Sequence, residues 1–456
     1  MENLRELAQQ DAKNSTCYWQ TDKVTEKEAP DFPFFTYFIV ALALIKAVKI
    51  LVDLKQLRKY KETKMDPYVE DLFTQQEFTD SQLYNAEKME FGIFHKIMDT
   101  SIEVIFWVLF WYAAIWNWMD GFMSMFSLCA DQPYVNDIIQ AYIFFVFLTL
   151  IESLINVPFS IYSTFVIEEK YGFNKMTPGT FICDEIKKFL LVVVLMAIVI
   201  PLILWVIHAS GPALVVTLAG CSVLLIVVLS LLVPTVIVPL FFTYSDLEEG
   251  ELRTAVLQEA LKTDVQVAEV KVIDGSKRSS HSNAFVSGFW SFRKVVLFDT
   301  LIAQHPVEEV CAVVNHELGH VVHKHVVQQV VMSSVSLTIM FLCFSFILGN
   351  KGIIESFGFG NVSNFLYLFL FTKIYMPISF FLDFIAMYLI RRAEYQADAF
   401  AVKHNHGKPL KSGLVNLFKR NKGPLVADPL YSAMNHSHPT LIERLHAIDD
   451  AIKNNQ

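Results

Sequence analysis

Residues 189–208 read FLLVVVLMAIVIPLILWVIH, and residues 212–242 read PALVVTLAGCSVLLIVVLSLLVPTVIVPLFF. Neither run contains Asp, Glu, Lys or Arg. A helix needs about 20 mostly apolar residues in a row to cross the hydrocarbon core of a bilayer. Both runs reach that length, which predicts that the chain is an integral membrane protein.

Five further apolar runs extend the pattern, at 33–52, 101–119, 138–161, 326–349 and 364–390. The composition agrees, because 54% of the 456 residues are hydrophobic and only 18% are charged, an apolar share that is too high for a soluble protein. We therefore predict an all-α membrane protein with seven transmembrane helices. One polar segment lies between the fifth and sixth spans, and a second follows the seventh. Together they are long enough to form one α+β domain.

The predicted organisation has five parts. They are an N-terminal segment at 1–32, the first five spans at 33–242, a polar segment at 243–325, two spans at 326–390 and a polar C-terminal segment at 391–456. Lys and Arg are frequent in the loop at 53–99 and absent from the loop at 120–137. Because short cytosolic loops carry an excess of Lys and Arg, we expect both polar segments in the cytosol and the N-terminus in the lumen.

Charge and cysteine content exclude two further classes of protein. The formal net charge is −9 and no long block of Lys and Arg occurs, so a basic nucleic-acid-binding protein is excluded. The six cysteines are widely separated and form no CxxC pair, which argues against a disulfide framework and a thiolate zinc site. Cys17 and Cys129 fall on the same predicted side of the membrane, and a bond between them stays open.

Two carboxylates lie deep within predicted spans, Glu152 and Asp383. An ionised side chain in hydrocarbon is costly unless it faces water or a partner. They therefore predict a polar interior for the helix bundle, in which a structural role and a catalytic role are both open.

Residues 316–320 read His-Glu-Leu-Gly-His, an HExxH motif that follows an apolar stretch typical of a helix. Histidines at positions i and i+4 lie one turn apart on one face, so His316 and His320 can both reach a single metal ion. Zinc suits them, because it binds imidazole nitrogens in a tetrahedral site that keeps one position open for water. Glu317 is then placed to take a proton from that water and to give it to a leaving amine.

A candidate third ligand lies in the segment Glu394-Tyr395-Gln396-Ala397-Asp398. Glu394 and Asp398 share a helix face at i and i+4, so Glu394 is predicted to bind the metal. Asp398 is predicted to accept the distal ring N–H of a zinc histidine and so to fix its tautomer. The alternative is that both carboxylates are exposed to solvent and balance the charges of Arg391 and Arg392.

Four other positions are candidates for supporting roles. His323 lies seven residues after His316 and is open as a competing ligand, whereas His325 is predicted to support packing or to bond to a ligand histidine. Pro439 favours a helix start just after His438, which could stabilise an oxyanion, and Arg444 could orient the substrate or a carboxylate.

A hairpin is predicted from residues 282–289 and 295–298. An exposed edge beside HExxH would align an extended peptide by main-chain pairing, with Asn283 and Ala284 as the contact residues. A hairpin with a purely structural role is the alternative.

With HExxH, five segments carry a family resemblance: 162–174 (YSTFVIEEKYGFN), 275–284 (GSKRSSHSNA), 296–301 (VLFDTL), 394–400 (EYQADAF) and 437–439 (SHP). Together they resemble the CAAX prenyl protease 1 family, which are eukaryotic seven-span zinc metalloproteases. The resemblance implies a helical barrel around a large water-filled chamber, with one zinc ion near the cytosolic face.

The same resemblance implies roles for individual residues. His316, His320 and Glu394 would be zinc ligands, and Glu317 the base. Asp398 would support a ligand, His438 and Arg444 would act on the transition state or the substrate, and Asn283 and Ala284 would pair with the substrate backbone.

The implied substrate is a farnesylated or geranylgeranylated CaaX protein, which loses its last three residues and in some cases is also cut upstream. The implied location is the membrane of the endoplasmic reticulum and the inner nuclear membrane, and we expect a monomer in contact with membrane lipid. A membrane quality-control zinc protease is an alternative that the same motif permits. A scaffold or transporter with a structural zinc site is disfavoured, because such a site has no use for Glu317.

Overall fold

The computed structural model describes residues 32–126, 133–288 and 293–455. Cys17 and Cys129 lie outside these residues, and so does nearly all of the N-terminal segment at 1–32. The described part of the chain is mainly helical. It also contains one small sheet, whose strands lie between the fifth and sixth predicted spans in the sequence.

The first half of the chain consists of apolar helices. They are α1 (Phe34–Tyr60), α2 (Gln75–Val108), α3 (Trp111–Met125), α4 (Pro133–Tyr162), α5 (Pro178–Ala209), α6 (Leu214–Leu232) and the short α7 (Val238–Phe241). A π-helical turn at Ser163–Glu168 continues α4, and another at Val233–Ile237 joins α6 to α7.

The second half is also mainly helical. It contains α8 (Glu251–Lys262), α9 (Asp299–Gln304), α10 (Val307–Val322), α11 (His325–Ile347), α12 (Lys351–Ser356), α13 (Asn364–Ile374), α14 (Met376–Lys403), α15 (Gly407–Arg420), α16 (Pro429–Asn435) and α17 (Leu441–Asn455). Of the described helices, five stretches are long and apolar enough to cross a membrane, and the number rises to seven if each of two bent pairs is one span. The chain is a multi-pass membrane protein.

The bent pairs correct two predicted spans. The predicted span at 101–119 crosses the break between α2 and α3, whose axes differ by 63°, and the span at 364–390 crosses the break between α13 and α14, which differ by 60°. At the first break Phe110 adopts a left-handed conformation with φ of 54°. At the second, Pro377 in the first turn of α14 cannot donate a helical hydrogen bond. Hydropathy reports the apolar composition of a run but not a change in backbone direction.

Several charged side chains border one cavity between the described helices. Glu152 lines a cavity of about 590 Å³ together with Asp99, Glu103 and Lys373. Lys46 of α1 lies 3.0 Å from Glu103 and 3.5 Å from Asp99, so charges of both signs are paired in this region. Glu152 and Asp383 are both exposed in the described part of the chain.

The sheet has four strands, β1 (Tyr244–Asp246), β2 (Glu269–Ile273), β3 (Ala284–Ser287) and β4 (Lys294–Phe298), in the order β1-β2-β4-β3. Strands β3 and β4 are antiparallel with Ala284 opposite Leu297, which confirms the predicted hairpin. Since β3 is last in the order, it is an edge strand within the described residues.

The hydrogen bonding of β3 shows which backbone groups face the free edge. Phe298 N–H donates to the carbonyl oxygen of Asn283 at 3.1 Å, so Asn283 and Phe298 form a hydrogen-bonded pair. In an antiparallel pair such residues alternate with residues whose N–H and C=O point away from the partner strand. The backbone groups of Ser282, Ala284 and Val286 therefore point to the free edge.

Helix α10 packs against the sheet. Val314 and Leu318 of α10 are fully buried in one core with Ala284 of β3 and Leu297 of β4. This core places the free edge of β3 beside the helix that carries HExxH. A second core joins α10 to α15 and α17 through Ala312, and so connects the two polar segments.

Candidate metal centre

Two helices bring three metal-binding side chains together. His316 and His320 come from α10 and Glu394 comes from α14, and one ligand atom from each lies within 4.8 Å of the other two. The Nε2 atoms of the histidines are 3.2 Å apart. Glu394 places Oε2 at 3.5 Å from His316 Nε2 and Oε1 at 3.4 Å from His320 Nε2.

These distances fit a metal ion. Donors about 2.0–2.1 Å from a tetrahedral ion lie roughly 3.3 Å from one another. The two histidine nitrogens are 3.2 Å apart, and one oxygen of Glu394 lies 3.5 Å from His316 while the other lies 3.4 Å from His320. The buried Oε2 of Glu394 also accepts no well-aligned hydrogen bond among the described residues, although His438 Nδ1 is 2.7 Å away. A buried carboxylate oxygen without such a donor is suited to a cation.

Gly319 allows α10 and α14 to approach closely. A Cβ atom at Gly319 would lie 3.1 Å from the Cα atom of Ala397 and 3.1 Å from Cβ of Phe400. Because one of these atoms is backbone, it cannot move aside as a flexible side chain would. The glycine inside HExxH thus sets the distance between the histidines and Glu394.

We expect Gly319→Ala to lower metal affinity by moving α14 away from α10. Overpacking of this kind typically costs about 1–3 kcal/mol, which corresponds to roughly a 5- to 150-fold weaker metal site if the strain falls on the ligands. Competition with a fluorescent zinc chelator measures the change. Gly413→Ala is the matched control, since its Cβ would meet only ordinary contacts at 3.4 Å or more. Unchanged zinc affinity in Gly319→Ala would contradict the role of the close approach.

Asp398 and Arg444 fix the orientation of the His316 ring on the side away from Glu394. Asp398 Oδ1 lies 2.9 Å from His316 Nδ1, which leaves Nε2 to face the site. Arg444 binds the same carboxylate at two points, with Nε 2.8 Å from Oδ2 and Nη2 2.6 Å from Oδ1. Asp398 is 1% exposed and Arg444 is 6% exposed. Of the two roles considered for Arg444, this geometry favours orienting a carboxylate over contacting the substrate.

His320 is held by a chain of donors and acceptors. Its Nδ1 lies 2.9 Å from Nδ1 of His325, and His325 Nε2 lies 2.9 Å from Oε1 of Gln396. If His320 presents the lone pair of Nε2, its proton is on Nδ1 and is donated to His325. His325 then carries its own proton on Nε2, and the Gln396 oxygen accepts it. Only this set of tautomers leaves His320 free to bind a metal.

The two histidines also differ in pKa, because their surroundings differ. Burial lowers the pKa of His316, but the nearby carboxylates of Asp398 and Glu394 outweigh it and raise that pKa to about 9. Burial and the neighbouring His316 lower the pKa of His320 to about 3. At neutral pH His320 is therefore unprotonated, whereas His316 carries a proton that a bound metal would have to displace.

Glu317 and His438 also adjoin the three candidate ligands. Burial raises the pKa of the Glu317 carboxyl, and the nearby carboxylate of Glu394 adds to the effect. A raised pKa brings a carboxylate closer to the range of a general base. The side chain of His438 is 63% exposed while its Nδ1 reaches Glu394, so the ring borders the entrance.

Other candidates occupy different places. His323 is exposed and is not in the group of convergent ligand atoms found among the described residues. The side-chain Oδ1 of Asn283 accepts the N–H of Ala284 at 2.9 Å, while the backbone carbonyl of Asn283 pairs with Phe298 of β4. Gln396 escaped the sequence reasoning, since it lies two residues from Glu394 and on another helix face. One signal could have indicated it: if His325 supports the ligand His320, the second ring nitrogen of His325 needs a hydrogen-bond acceptor.

Comparison with known proteins agrees with this geometry. Residues 56–243 match the family model for the CAAX prenyl protease N-terminal region with five membrane helices, and residues 246–452 match the model for peptidase family M48. The chain is 33% identical over 424 residues to the CAAX prenyl protease 1 homolog of Oryza sativa subsp. japonica, which covers 92% of this chain and 98% of that protein. It is 32% identical over 434 residues to the homolog of Homo sapiens, which covers 86% and 90% respectively.

A solved structure is similar over the same length. The crystal structure of S. mikatae Ste24p superposes with a TM-score of 0.86 at 30% sequence identity, and the match covers 92% of this chain and 100% of that chain. Family models, relatives and structure agree on one assignment: this chain belongs to the CAAX prenyl protease 1 family of M48 metallopeptidases.

Proposed function

We propose that the chain is a zinc endopeptidase that removes the C-terminal aaX tripeptide from farnesylated or geranylgeranylated CaaX proteins. The observation that carries this proposal is the convergence of His316, His320 and Glu394 beside Glu317 and next to a free strand edge. The names of the relatives supply the substrate class.

Zinc is the proposed metal because two imidazoles and one carboxylate form a donor set typical of catalytic zinc sites. A zinc ion held by these residues would polarise the scissile carbonyl as a Lewis acid. Asp398 and His325 are proposed to fix the tautomers of the two ligand histidines, and Arg444 to hold Asp398 in place.

The protein's own groups then move the protons. Glu317 is proposed to take a proton from the attacking water and to donate it to the leaving amine, which its raised pKa favours. His438 is proposed to donate a hydrogen bond to the oxyanion from its exposed position at the entrance. The β3 edge at Asn283 and Ala284 is proposed to bind the substrate backbone as an added strand.

The wider setting is part of the proposal. The helices are proposed to form a seven-span barrel around a chamber, with 243–325 and 391–456 together as the catalytic domain and the site reached from the cytosolic side. We propose a monomer in the membrane of the endoplasmic reticulum and the inner nuclear membrane, in contact with lipid. A second upstream cut in some substrates belongs to the same activity.

The test compares one CaaX peptide with and without its prenyl group. Burial of a single CH₂ group contributes about 0.8 kcal/mol, so burial of only four carbons corresponds to a kcat/KM that is roughly 200-fold higher for the prenylated peptide. Both peptides are assayed in detergent at concentrations below their own aggregation. An unfolded protein without a CaaX end is the third substrate.

The outcome separates the two proteases that the motif permits. A strong preference for the prenylated peptide supports the proposed function. Equal rates for the two peptides, together with efficient cleavage of the unfolded protein, would instead favour the quality-control protease.

A further inference from the structure

Two adjoining cavities lie between α11 and α14. One has a volume of about 690 Å³ and a mainly apolar wall that includes Val331 and Val335 of α11. The other has a volume of about 280 Å³ and a more polar wall. Because both walls contain Gln328, Met332 and Leu389, the two cavities form one cleft with an apolar part and a polar end. We call it the α11/α14 cleft.

The apolar part of this cleft follows a membrane span. Helix α11 is long and apolar enough to cross a bilayer, and its Val331 and Val335 are 56% and 54% exposed. Exposed valines on a span are suited to contact hydrocarbon and not water. The wall extends from Lys324 to Ile339, which is roughly 22 Å of helix. Since the hydrocarbon of one leaflet is roughly 15 Å thick, an acyl chain of that leaflet fits along the wall.

Two cations lie at the polar end of the cleft. Lys324 immediately precedes the span in α11, and Arg392 shares a face of α14 with Gln396, four residues later. His325 Nε2 lies 2.9 Å from Gln396 Oε1, and this contact brings the start of α11 to the same turn of α14. Lys324 and Arg392 line the two adjoining cavities. Both positive charges are therefore at the end of the cleft where the span meets the polar segment.

Neither cation has a counter-ion in the protein. Lys324 and Arg392 are exposed, and no carboxylate of the described residues lies within 4.0 Å of either charge. The neighbouring Arg391, in contrast, lies 3.2 Å from Glu443. Lys324 also has a φ of 58°, in the left-handed region that glycine adopts more easily. Two unpaired cations beside an apolar wall at a membrane boundary complement the head and tail of an anionic lipid.

The polar end of the cleft also reaches the metal centre. His325 and Gln396 line it, and His325 Nδ1 is 2.9 Å from Nδ1 of the candidate ligand His320. A molecule in the cleft is thus separated from this ligand by one side chain. By packing against His325 and Gln396, it restricts rotation of the two side chains that orient the His320 ring.

We propose that an anionic phospholipid of the membrane binds in the α11/α14 cleft, with its phosphate between Lys324 and Arg392 and one acyl chain along Val331 and Val335. The bound lipid holds His325 in place and so stabilises the metal centre. A lipid meets both parts of the cleft, whereas a free phosphate has no chain for the apolar wall. Binding of the lipid does not depend on which peptide is cleaved, so the proposal goes beyond the proposed function.

The first test measures lipid binding to the purified full-length protein by native mass spectrometry. Phosphatidylserine and phosphatidylcholine with the same acyl chains are compared, and wild type is expected to bind phosphatidylserine at least about 5-fold more tightly. Lys324→Gly removes one charge and relieves the left-handed backbone, so this variant is expected to stay folded. Lys324→Gly and Arg392→Gln should each weaken phosphatidylserine binding by about 5-fold.

Lys403→Gln is the matched control, because Lys403 is an exposed cation in the last turn of the same helix as Arg392 and lines neither cavity. It should bind phosphatidylserine as tightly as wild type. An equal loss in Lys403→Gln would show diffuse attraction to the protein surface and would overturn the proposal. Displacement of the lipid by inorganic phosphate at the same concentration would overturn it as well, since the apolar wall would then contribute nothing.

The second test fills the apolar part without a change in charge. Val335→Trp is expected to weaken phosphatidylserine binding by at least about 5-fold, because the larger ring occupies the path of the acyl chain. Leu342→Trp is its control, since Leu342 is 47% exposed on the same helix and lines neither cavity. Wild-type affinity in Val335→Trp would refute binding in this cleft.

The third test measures the effect on the metal centre. Transfer of zinc from wild type to a chelator is expected to be at least about 3-fold slower in phosphatidylserine nanodiscs than in phosphatidylcholine nanodiscs. Lys324→Gly should release zinc at the same rate in both. Equal rates for wild type would refute the effect on the metal centre. If the cleft variants bind phosphatidylserine normally and only raise KM for a prenylated peptide, the cleft holds the prenyl chain and the proposal is overturned.

Discussion

Glu317→Gln is expected to lower kcat/KM for a prenylated CaaX peptide by about 1000-fold or more while bound zinc stays near stoichiometric. Glutamine has nearly the same size as glutamate, so the packing of α10 is kept. It cannot accept a proton, however, and the proposed transfer from water to the leaving amine is lost. The three candidate ligands are unchanged, which is why the metal should remain. Peptide cleavage and zinc content by mass spectrometry are measured on the same preparation.

Glu308→Gln is the matched control for this experiment. Glu308 lies in the first turn of the same helix and is exposed, so its replacement should leave the rate within about 2-fold of wild type. If Glu317→Gln retains more than about a tenth of the wild-type kcat/KM, another group is the base. If it loses zinc as well as activity, Glu317 supports the metal site and its role as a base is not needed.

Glu394→Gln is expected to remove both zinc and activity. An amide oxygen carries no charge and is a weaker zinc ligand than a carboxylate, and Glu394 is the only carboxylate in the group of convergent ligand atoms among the described residues. Partners outside the ligand shell typically contribute about 10- to 100-fold to metal affinity, so loss of a ligand should cost at least about 100-fold. Dialysis against a zinc buffer, followed by metal analysis, measures the affinity.

Asp383→Asn provides the comparison on the same helix, because Asp383 is an exposed carboxylate of α14 away from the site. It should bind zinc as wild type does. Full zinc content in an inactive Glu394→Gln protein would show that Glu394 is not a ligand. The pair of variants thus separates proton transfer from metal binding, since Glu317→Gln should lose only the first.

Local periodicity explains why the convergence of the candidate ligands could be predicted. The spacing of four residues within HExxH, and again from Glu394 to Asp398, places side chains on one helix face whatever the tertiary structure is. The structure brings both faces together and places Asp398 behind His316. The membrane spans could also be predicted from the sequence, because the thickness of the bilayer sets the length of the apolar run that a span needs.

Long-range partners could not be derived in this way. The bond between Arg444 and Asp398 joins residues 46 positions apart, and the contact of Asn421 with Ser282 joins residues 139 apart. Neither contact has a period or a motif of its own. The bends at Phe110 and Tyr375 were missed because hydropathy reports only the composition of a run. The first bend depends on what packs against Phe110, whereas the second lies beside Pro377, whose effect on the backbone the apolar composition does not show.

The contact between Arg444 and Asp398 also has a consequence for how the protein is made. His316, His320 and Glu394 are all synthesised before Arg444, which lies on the last described helix. A chain that stops short of Arg444 contains every candidate ligand but leaves Asp398 buried without its cation, an arrangement that is costly in a protein interior. We therefore expect the metal centre to become fully ordered only after Arg444 has been synthesised and has bound Asp398. A chain that ends before Arg444 is then expected to lack the ordered metal centre that cleavage of a neighbouring protein would need.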